Sequence, residues 1–268
     1  MVSTNREGLA AVVFAVATVP ALTQEVDPDT QWSVENLGPS INSEYSDRFS
    51  VVSNDGLSLY FASNRPMPGS SEAPTWDIYV SWRDSIEESF SDAVNIGPIV
   101  NSEYSDHSAS LSPDGLTMYF ASDRPGGCGA HDLYVSQRTD ARDHTSWSEP
   151  VHLGCDVNTE LDESCPIVTG DFESNLALLY FTRNYVPGEI LYDFYVTQFV
   201  IDALEFEPPL PLNELNVPEH DGHFDPNHGL IWSQREGGYG GSDICVTSWI
   251  EEFFGWQPPQ NIGASINT

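Results

Sequence analysis

"LSPDGLTMYFASDRPGG" runs from Leu111 to Gly127 and reads as a turn, a strand and a second turn. Pro113-Asp114-Gly115 is tight-turn chemistry, because Gly supplies the positive φ that such turns need. The residues that follow are alternating and aromatic, which marks a half- or fully buried strand. Beginning 59 residues earlier, "VSNDGLSLYFASNRP" (Val52 to Pro66) repeats the pattern almost word for word. A fixed internal period has to be read before individual strands, because it decides the architecture.

The linkers carry the same period. "NLGPSINSEYSD" (Asn36 to Asp47) returns as "NIGPIVNSEYSD" (Asn95 to Asp106). It recurs more loosely as "HLGCDVNTELD" (His152 to Asp162) and "PLNELNVPEHD" (Pro211 to Asp221), and begins again as "NIGASINT" at 261–268. Within each period the turns are "SNDG", "SPDG", "TGDF" and "PNHG". An aromatic strand follows each, and a loop opening at an Arg leads to a third strand: "WDIYVSW", "HDLYVSQ", "YDFYVTQ" and "SDICVTS". An edge-like segment closes the period: "FSDAV", "WSEPV", "FEPPL" and "WQPPQ". No stretch after Thr23 holds a helical period.

Four short antiparallel strands per repeat predict an all-β fold, a β-propeller of four-stranded blades that cover one another's faces. The repeats fall at about 36–94, 95–151, 152–210 and 211–260, within one domain at 24–268. An orphan closing strand at 31–38 and the linker at 261–268 suggest a partial fifth blade, so a five-bladed design is favoured. The stretch "SPDGLTMYFASDRPGGCGAHDLYVSQR" resembles the TolB-like, WD40-like (PD40-type) propeller repeat of bacterial periplasmic and secreted proteins. The resemblance covers about residues 32–268 and implies repeat type rather than a particular activity; the fourth copy departs most, lacking the Tyr-Phe pair.

Composition narrows the function. The chain has 268 residues, 41 acidic against 9 basic, a net charge of −32, and every basic residue is Arg. So acidic a surface repels phosphate backbones and excludes nucleic acid as a partner. "LAAVVFAVATVPALT" (Leu9 to Thr23) is an apolar core of signal-peptide length, so 1–23 reads as a signal peptide and the mature chain as periplasmic or secreted, without membrane insertion.

Several repeated polar positions are candidates for a site. The loop Arg and the third-strand Asp flank one loop in each repeat, and we expect them to pair structurally as Arg65 with Asp77, Arg124 with Asp132, Arg183 with Asp193 and Arg235 with Asp243. The Asp ending each linker (Asp47, Asp106, Asp162, Asp221) precedes the axial strand, so these four predict a carboxylate ring that either caps its own turns or holds a cation such as Ca²⁺. Tyr45 and Tyr104 lie on the same face as candidate ligand contacts. Trp147 and its counterparts Trp32, Phe90, Phe206 and Trp256 recur at the closing strand and predict packing between blades.

Cys128, Cys155 and Cys165 fall on loops of one face; Cys155–Cys165 is the expected disulfide, with Cys128 the rival partner and Cys245 buried and reduced in a strand. His220, His223 and His228 cluster in the last repeat at a spacing too weak to define a metal site, and no other cofactor is implied. No catalytic constellation breaks the equivalence of the repeats. The leading expectation is a non-enzymatic, protein-binding scaffold; the alternative is a propeller that binds or hydrolyses glycans through axial carboxylates.

Overall fold

A computed structural model describes residues 36–66, 75–171, 175–184 and 192–212, and beyond these the backbone of strands at 222–225, 230–236, 242–250, 255–256 and 260–261. Four antiparallel sheets follow one another along the chain. The first holds β1 (Asp47–Val52), β2 (Ser58–Ser63), β3 (Asp77–Trp82) and β4 (Val94–Asn95) in that order. The second repeats it with β5 (Asp106–Leu111), β6 (Thr117–Ser122), β7 (Asp132–Gln137) and β8 (Val151–His152).

The third has β9 (Asp162–Asp171), β10 (Leu176–Asn184) and β11 (Tyr192–Val200), with β12 (Glu205–Phe206) and β13 (Leu210–Pro211) both on β11. The fourth has β14 (Gly222–Asp225), β15 (Leu230–Glu236) and β16 (Ser242–Ile250), with β17 (Gly255–Trp256) and β18 (Gln260–Asn261) on β16. The first strands pack in succession, β1 on β5, β5 on β9 and β9 on β14, which places them innermost, as propeller blades require. Of the orphan closing segment, residues 36–38 form no strand; 31–35 and most of the final linker lie outside the described residues.

Alternation along each strand decides which neighbour a side chain meets. In β6, Met118 and Phe120 join Tyr60, Ile78 and Val80 of the first blade. Tyr119 and Ala121 point the other way, to Leu179, Phe181 and Phe199 of the third. A middle blade is therefore apolar on both faces, and β6 and β7 are buried almost throughout. At the outer edge Trp147 meets Tyr60 of the neighbouring blade edge-on at 6.3 Å, the inter-blade packing expected of it. Arg138 Nη1 donates to the Tyr60 hydroxyl across the same seam at 2.9 Å. Phe206 stays within its own sheet, stacked on Phe199 at 4.7 Å.

The turns behave as their residues dictate. Gly56 and Gly115 take φ of 73° and 69°, while Asp55 and Asp114 accept from the Ser two positions before them. Less expected is a bulge in the inner strand of each of the first three blades, where Phe49, Ser108 and Cys165 adopt φ of 52°, 54° and 48°. Bulges re-aim side chains, and non-Gly residues at positive φ persist where the surroundings hold them. Among the described residues no helix is long and apolar enough to cross a membrane.

Candidate functional site

Arg65, Arg124 and Arg183 each centre a joint, but the carboxylate partner is not the one the spacing predicts. Arg65 Nη2 reaches Asp47 Oδ1 at 2.7 Å, and Arg124 Nη2 reaches Asp106 Oδ1 at 2.5 Å. The same guanidinium groups donate to the carbonyls of Ile41 and Val100, both at 2.6 Å, and lie over Phe61 and Tyr79 or Phe120 and Tyr134. The linker carboxylate completes the joint by accepting from the backbone and side chain of Ser43 or Ser102. Burial pushes the Asp47 carboxyl up, but the bonds from Arg65, Ser63 and Ser43 outweigh it and hold the acid below its usual range.

The expected pairs Arg65–Asp77, Arg124–Asp132 and Arg183–Asp193 are thus corrected. A guanidinium on a long stem reaches back across the sheet to the inner strand, while Asp77 instead accepts from Asn95 Nδ2 at 2.9 Å. In the third blade the joint is made by Glu163, not Asp162: Arg183 Nε donates to Glu163 Oε1 at 2.7 Å and Nη2 to the Val157 carbonyl at 2.7 Å. Arg183 lies within β10, paired in register with Asp193, where the earlier blades have Ser63 and Ser122. A carboxylate one methylene longer meets an Arg placed two positions earlier. The linker acids therefore form no shared axial ring among the described residues; Asp47 and Asp106 are engaged within their own blades, and Asp162 meets His131 of the second. The side chains of Asp221, Arg235 and Asp243 lie outside the described residues, as do those of the His220, His223 and His228 cluster and of Cys245.

The disulfide joins Cys128 to Cys155, the rival pairing, in place of the expected Cys155–Cys165. Cys165 sits at the bulge of β9, inside the strand rather than on the linker, with its sulfur 3.8 Å from Ser108 Oγ. The disulfide ties the β6–β7 loop to the linker entering the third blade. Gly129 permits this approach, because a Cβ there would run into the carbonyl oxygens of Thr159 and Leu161.

Cys128, Asp132 and His152 gather beside that bond, a grouping with metal-ligand chemistry. The Gly154 N–H donates to His152 Nδ1 at 3.1 Å, while His152 Nε2 lies 3.1 Å from Asn158 Nδ2 and 3.4 Å from Asp132 Oδ2. Asn95 does the same work in the first blade, its Oδ1 accepting from Gly97 and its Nδ2 donating to Asp77. With the Cys128 sulfur in a disulfide and both His152 nitrogens already in contact with protein groups, the donor set does not fit a metal; it is a joint.

The residues left over from these repeated joints meet in one axial cleft of about 280 Å³. It is lined by Arg48, Phe49 and Trp76 of the first blade, Ser105, His107, Asp123 and His131 of the second, and Asp162, Ser164, Thr182 and Tyr192 of the third. His107 is 6% exposed, stacked on Phe49 at 5.0 Å and tilted against His131 at 4.6 Å. Burial, reinforced by the charge of His131, pushes its pKa down to about 3, so it is neutral.

His131 Nδ1 lies 3.3 Å from Asp162 Oδ1, and the Tyr192 hydroxyl donates to Asp162 Oδ2 at 3.0 Å. Burial works against a charge on His131, but the contact with Asp162 and the charges of Asp123 and Asp106 raise its pKa on balance. Asp162 is correspondingly lowered; burial is outweighed by His131 and Tyr192. The cleft thus contains an ion pair bridging two blades, a neutral imidazole, and Arg48 lying over Trp76 at 5.5 Å.

Of the sequence-derived ligand candidates only Asp162 lines this cleft. Asp47 and Asp106 lie behind it in their Arg joints, and Tyr45 is exposed on the linker with its N–H on Ser43 Oγ, as Tyr104 is on Ser102. The members that sequence reasoning passed over share a signal. Arg48, His107 and Ser164 follow the joint acid; Trp76, His131 and Tyr192 precede the third-strand Asp. Both positions vary in a frame whose neighbours do not.

No family model matches the chain, and no curated protein matches its sequence. Solved structures do match in fold. A thermostable family-43 glycoside hydrolase aligns with TM-score 0.50 and 11% identity over 82% of this chain and 76% of that one. TolB from Acinetobacter baumannii aligns with TM-score 0.44 and 13% identity over 78% of this chain and 42% of that one. The endo-arabinanase from Bacillus licheniformis gives 0.48 and 10% over 78% and 75%. The chain spans less than half the length of TolB. At these identities the likeness speaks for architecture alone: the chain is an all-β propeller of antiparallel blades.

Proposed function

We propose that this propeller is a non-enzymatic docking module that receives a segment of a protein partner in its axial cleft, outside the cytoplasm. The observation that carries this reading is how the cleft's groups are already engaged. Trp76 carries the Arg48 guanidinium, Phe49 is stacked on His107, and the Tyr192 hydroxyl is bound to Asp162. Rings committed to such partners are poor stacking platforms for sugar, whereas a polar rim around a rigid, partly apolar floor suits a peptide segment.

The glycan-hydrolysing reading has one observation in its favour, that Asp123 and Asp162 both line the cleft. A general acid needs a raised pKa, however, and Asp162 is lowered. Affinity capture from an envelope extract with the wild-type chain and with Asp123→Arg, which fills the cleft mouth from an exposed position, tests the docking role. A protein recovered by the first and lost by the second supports it. Equal recovery, or sugar release from a polysaccharide panel that Asp162→Asn abolishes, overturns it.

A further inference from the structure

Arg48 is an anomaly in a chain that has 9 basic residues and a net charge of −32. Arg65, Arg124 and Arg183 hold joint carboxylates. Arg83 donates to the carbonyls of Gly56, Ile86 and Glu88, and Arg138 to those of Gly115 and Asp143 and to Tyr60. Arg48 makes no ion pair or side-chain hydrogen bond with the described residues; it rests on Trp76. Arg142 is similarly unbonded, but it lines a separate shallow cleft beside Asp140 and Asp143.

We infer that Arg48, placed over Trp76 in the lining of the axial cleft, is a receptor for a carboxylate at the end or on a side chain of the docked protein segment. The inference rests on the docking role proposed above. A planar guanidinium backed by an aromatic ring keeps its N–H edge free and pre-oriented, and that edge matches the two oxygens of a carboxylate. Capture of a chain-terminal carboxylate is a recognised mode of peptide binding.

The surroundings favour an acid over a base. Both acidic side chains of the cleft are engaged, Asp162 by His131 and Tyr192 and Asp123 by the Ser105 N–H at 2.7 Å. His107 stays neutral with its Nδ1 on Ser108 Oγ at 2.8 Å, so it adds a polar ring without competing charge. A volume of about 280 Å³ accommodates one residue rather than a folded surface. The strongly acidic remainder of the protein disfavours carboxylate binding over most of its surface.

Saturation-transfer NMR on the full chain at low salt tests this with N-acetyl-Ala-Ala-Phe as free acid and as amide, N-acetyl-Ala-Asp-Ala amide, and galacturonate. The expected result is binding by at least one of the two carboxylate peptides, at least tenfold weaker binding by the Phe amide or the galacturonate, and loss of peptide binding in Arg48→Gln. Arg142→Gln, which removes the same charge elsewhere, should bind like wild type. Which carboxylate peptide binds separates a chain end from a side chain. Equal binding of acids and amides, no effect of Arg48→Gln, or a preference for galacturonate overturns the inference. A partner captured equally by wild type and Arg48→Gln but lost with Asp123→Arg would overturn it while leaving the docking role standing.

Discussion

Asp106→Ala should be among the most damaging single substitutions in the chain, and the reason is countable. The Asp106 side chain is 0% exposed and its partner Arg124 is 17% exposed. Truncation removes the acceptor for Arg124 Nη2, for the Ser102 N–H at 2.6 Å and for the Ser102 hydroxyl at 2.8 Å. Breaking a buried ion pair from one side costs about 3–5 kcal/mol, because the remaining charge stays desolvated. At about 2–4 °C per kcal/mol for a chain of this size, the melting temperature should fall by on the order of 10 °C.

Asp47→Ala removes the equivalent group in the first blade, where Asp47 is 12% exposed and water can reach the orphaned donors. That substitution should cost about 1–2 kcal/mol. Thermal melts followed by circular dichroism, with a double-mutant cycle, make the test specific. Arg124→Met with Asp106→Ala should show a coupling above about 1.5 kcal/mol, and Arg124→Met with Asp132→Ala should be additive within about 0.5 kcal/mol. Strong coupling of Arg124 to Asp132, or an Asp106→Ala protein that melts within 2 °C of wild type (about 1 kcal/mol or less), would refute the joint as drawn.

Further outcomes follow from the same geometry. Non-reducing peptide mapping should recover Cys128 linked to Cys155; closing a span of 27 residues, the bond should contribute about 3.5 kcal/mol by chain entropy, so a Cys128→Ser/Cys155→Ser protein should melt markedly lower. His131, raised in the folded state, stabilises fully below its unfolded pKa and loses that contribution as pH rises through its folded value; Asp162, lowered, contributes above its unfolded pKa and loses it as pH falls through its folded value. The melting-temperature gap between wild type and His131→Gln should therefore be wide at pH 5.5 and narrow at pH 8.5, and a gap independent of pH would remove the ion pair. Asp77, raised to about 6 by burial and by the charge of Asp106 against the bond from Asn95, costs stability as pH climbs from about 4 to 6. Asp77→Asn should consequently be more stable than wild type at pH 7.5 and lose that advantage at pH 4, measured by urea denaturation.

The architecture was open to sequence reading because propeller blades repeat their burial. Turn residues at 53–56 and 112–115, and strands apolar on both faces, recur wherever a sheet is covered by two neighbours. Partner choice within a blade was not open in the same way. Arg124 and Asp132 flank a loop, yet a side chain as long as Arg reaches the inner strand, and its partner Asp106 lies 18 residues back. The one-residue slip between Asp162 and Glu163 is a similar case: both are acids beside each other, and only the position of Arg183 two residues early in its strand decides which one it meets. The disulfide turned on the bulge at Cys165, a backbone feature that no residue type in β9 announces.

That slip also explains why the cleft exists. In the first two blades the residue before the joint acid is Ser46 or Ser105; in the third it is Asp162, which is thereby released from the joint and meets His131 across the blade boundary. His131 in turn occupies the position that Trp76 and Tyr192 take in their own blades. A frame held by Arg-centred joints fixes the backbone so firmly that the residues on either side of each joint are free to differ without cost to the fold. Sites grafted on a repeated scaffold are expected at such positions, since only there can one blade acquire a charge or a ring that its neighbours lack. The most informative positions in this chain are therefore not those that repeat, such as Asp47 and Asp106, but those one residue away, where Arg48 faces His107 and Ser164 around the axis.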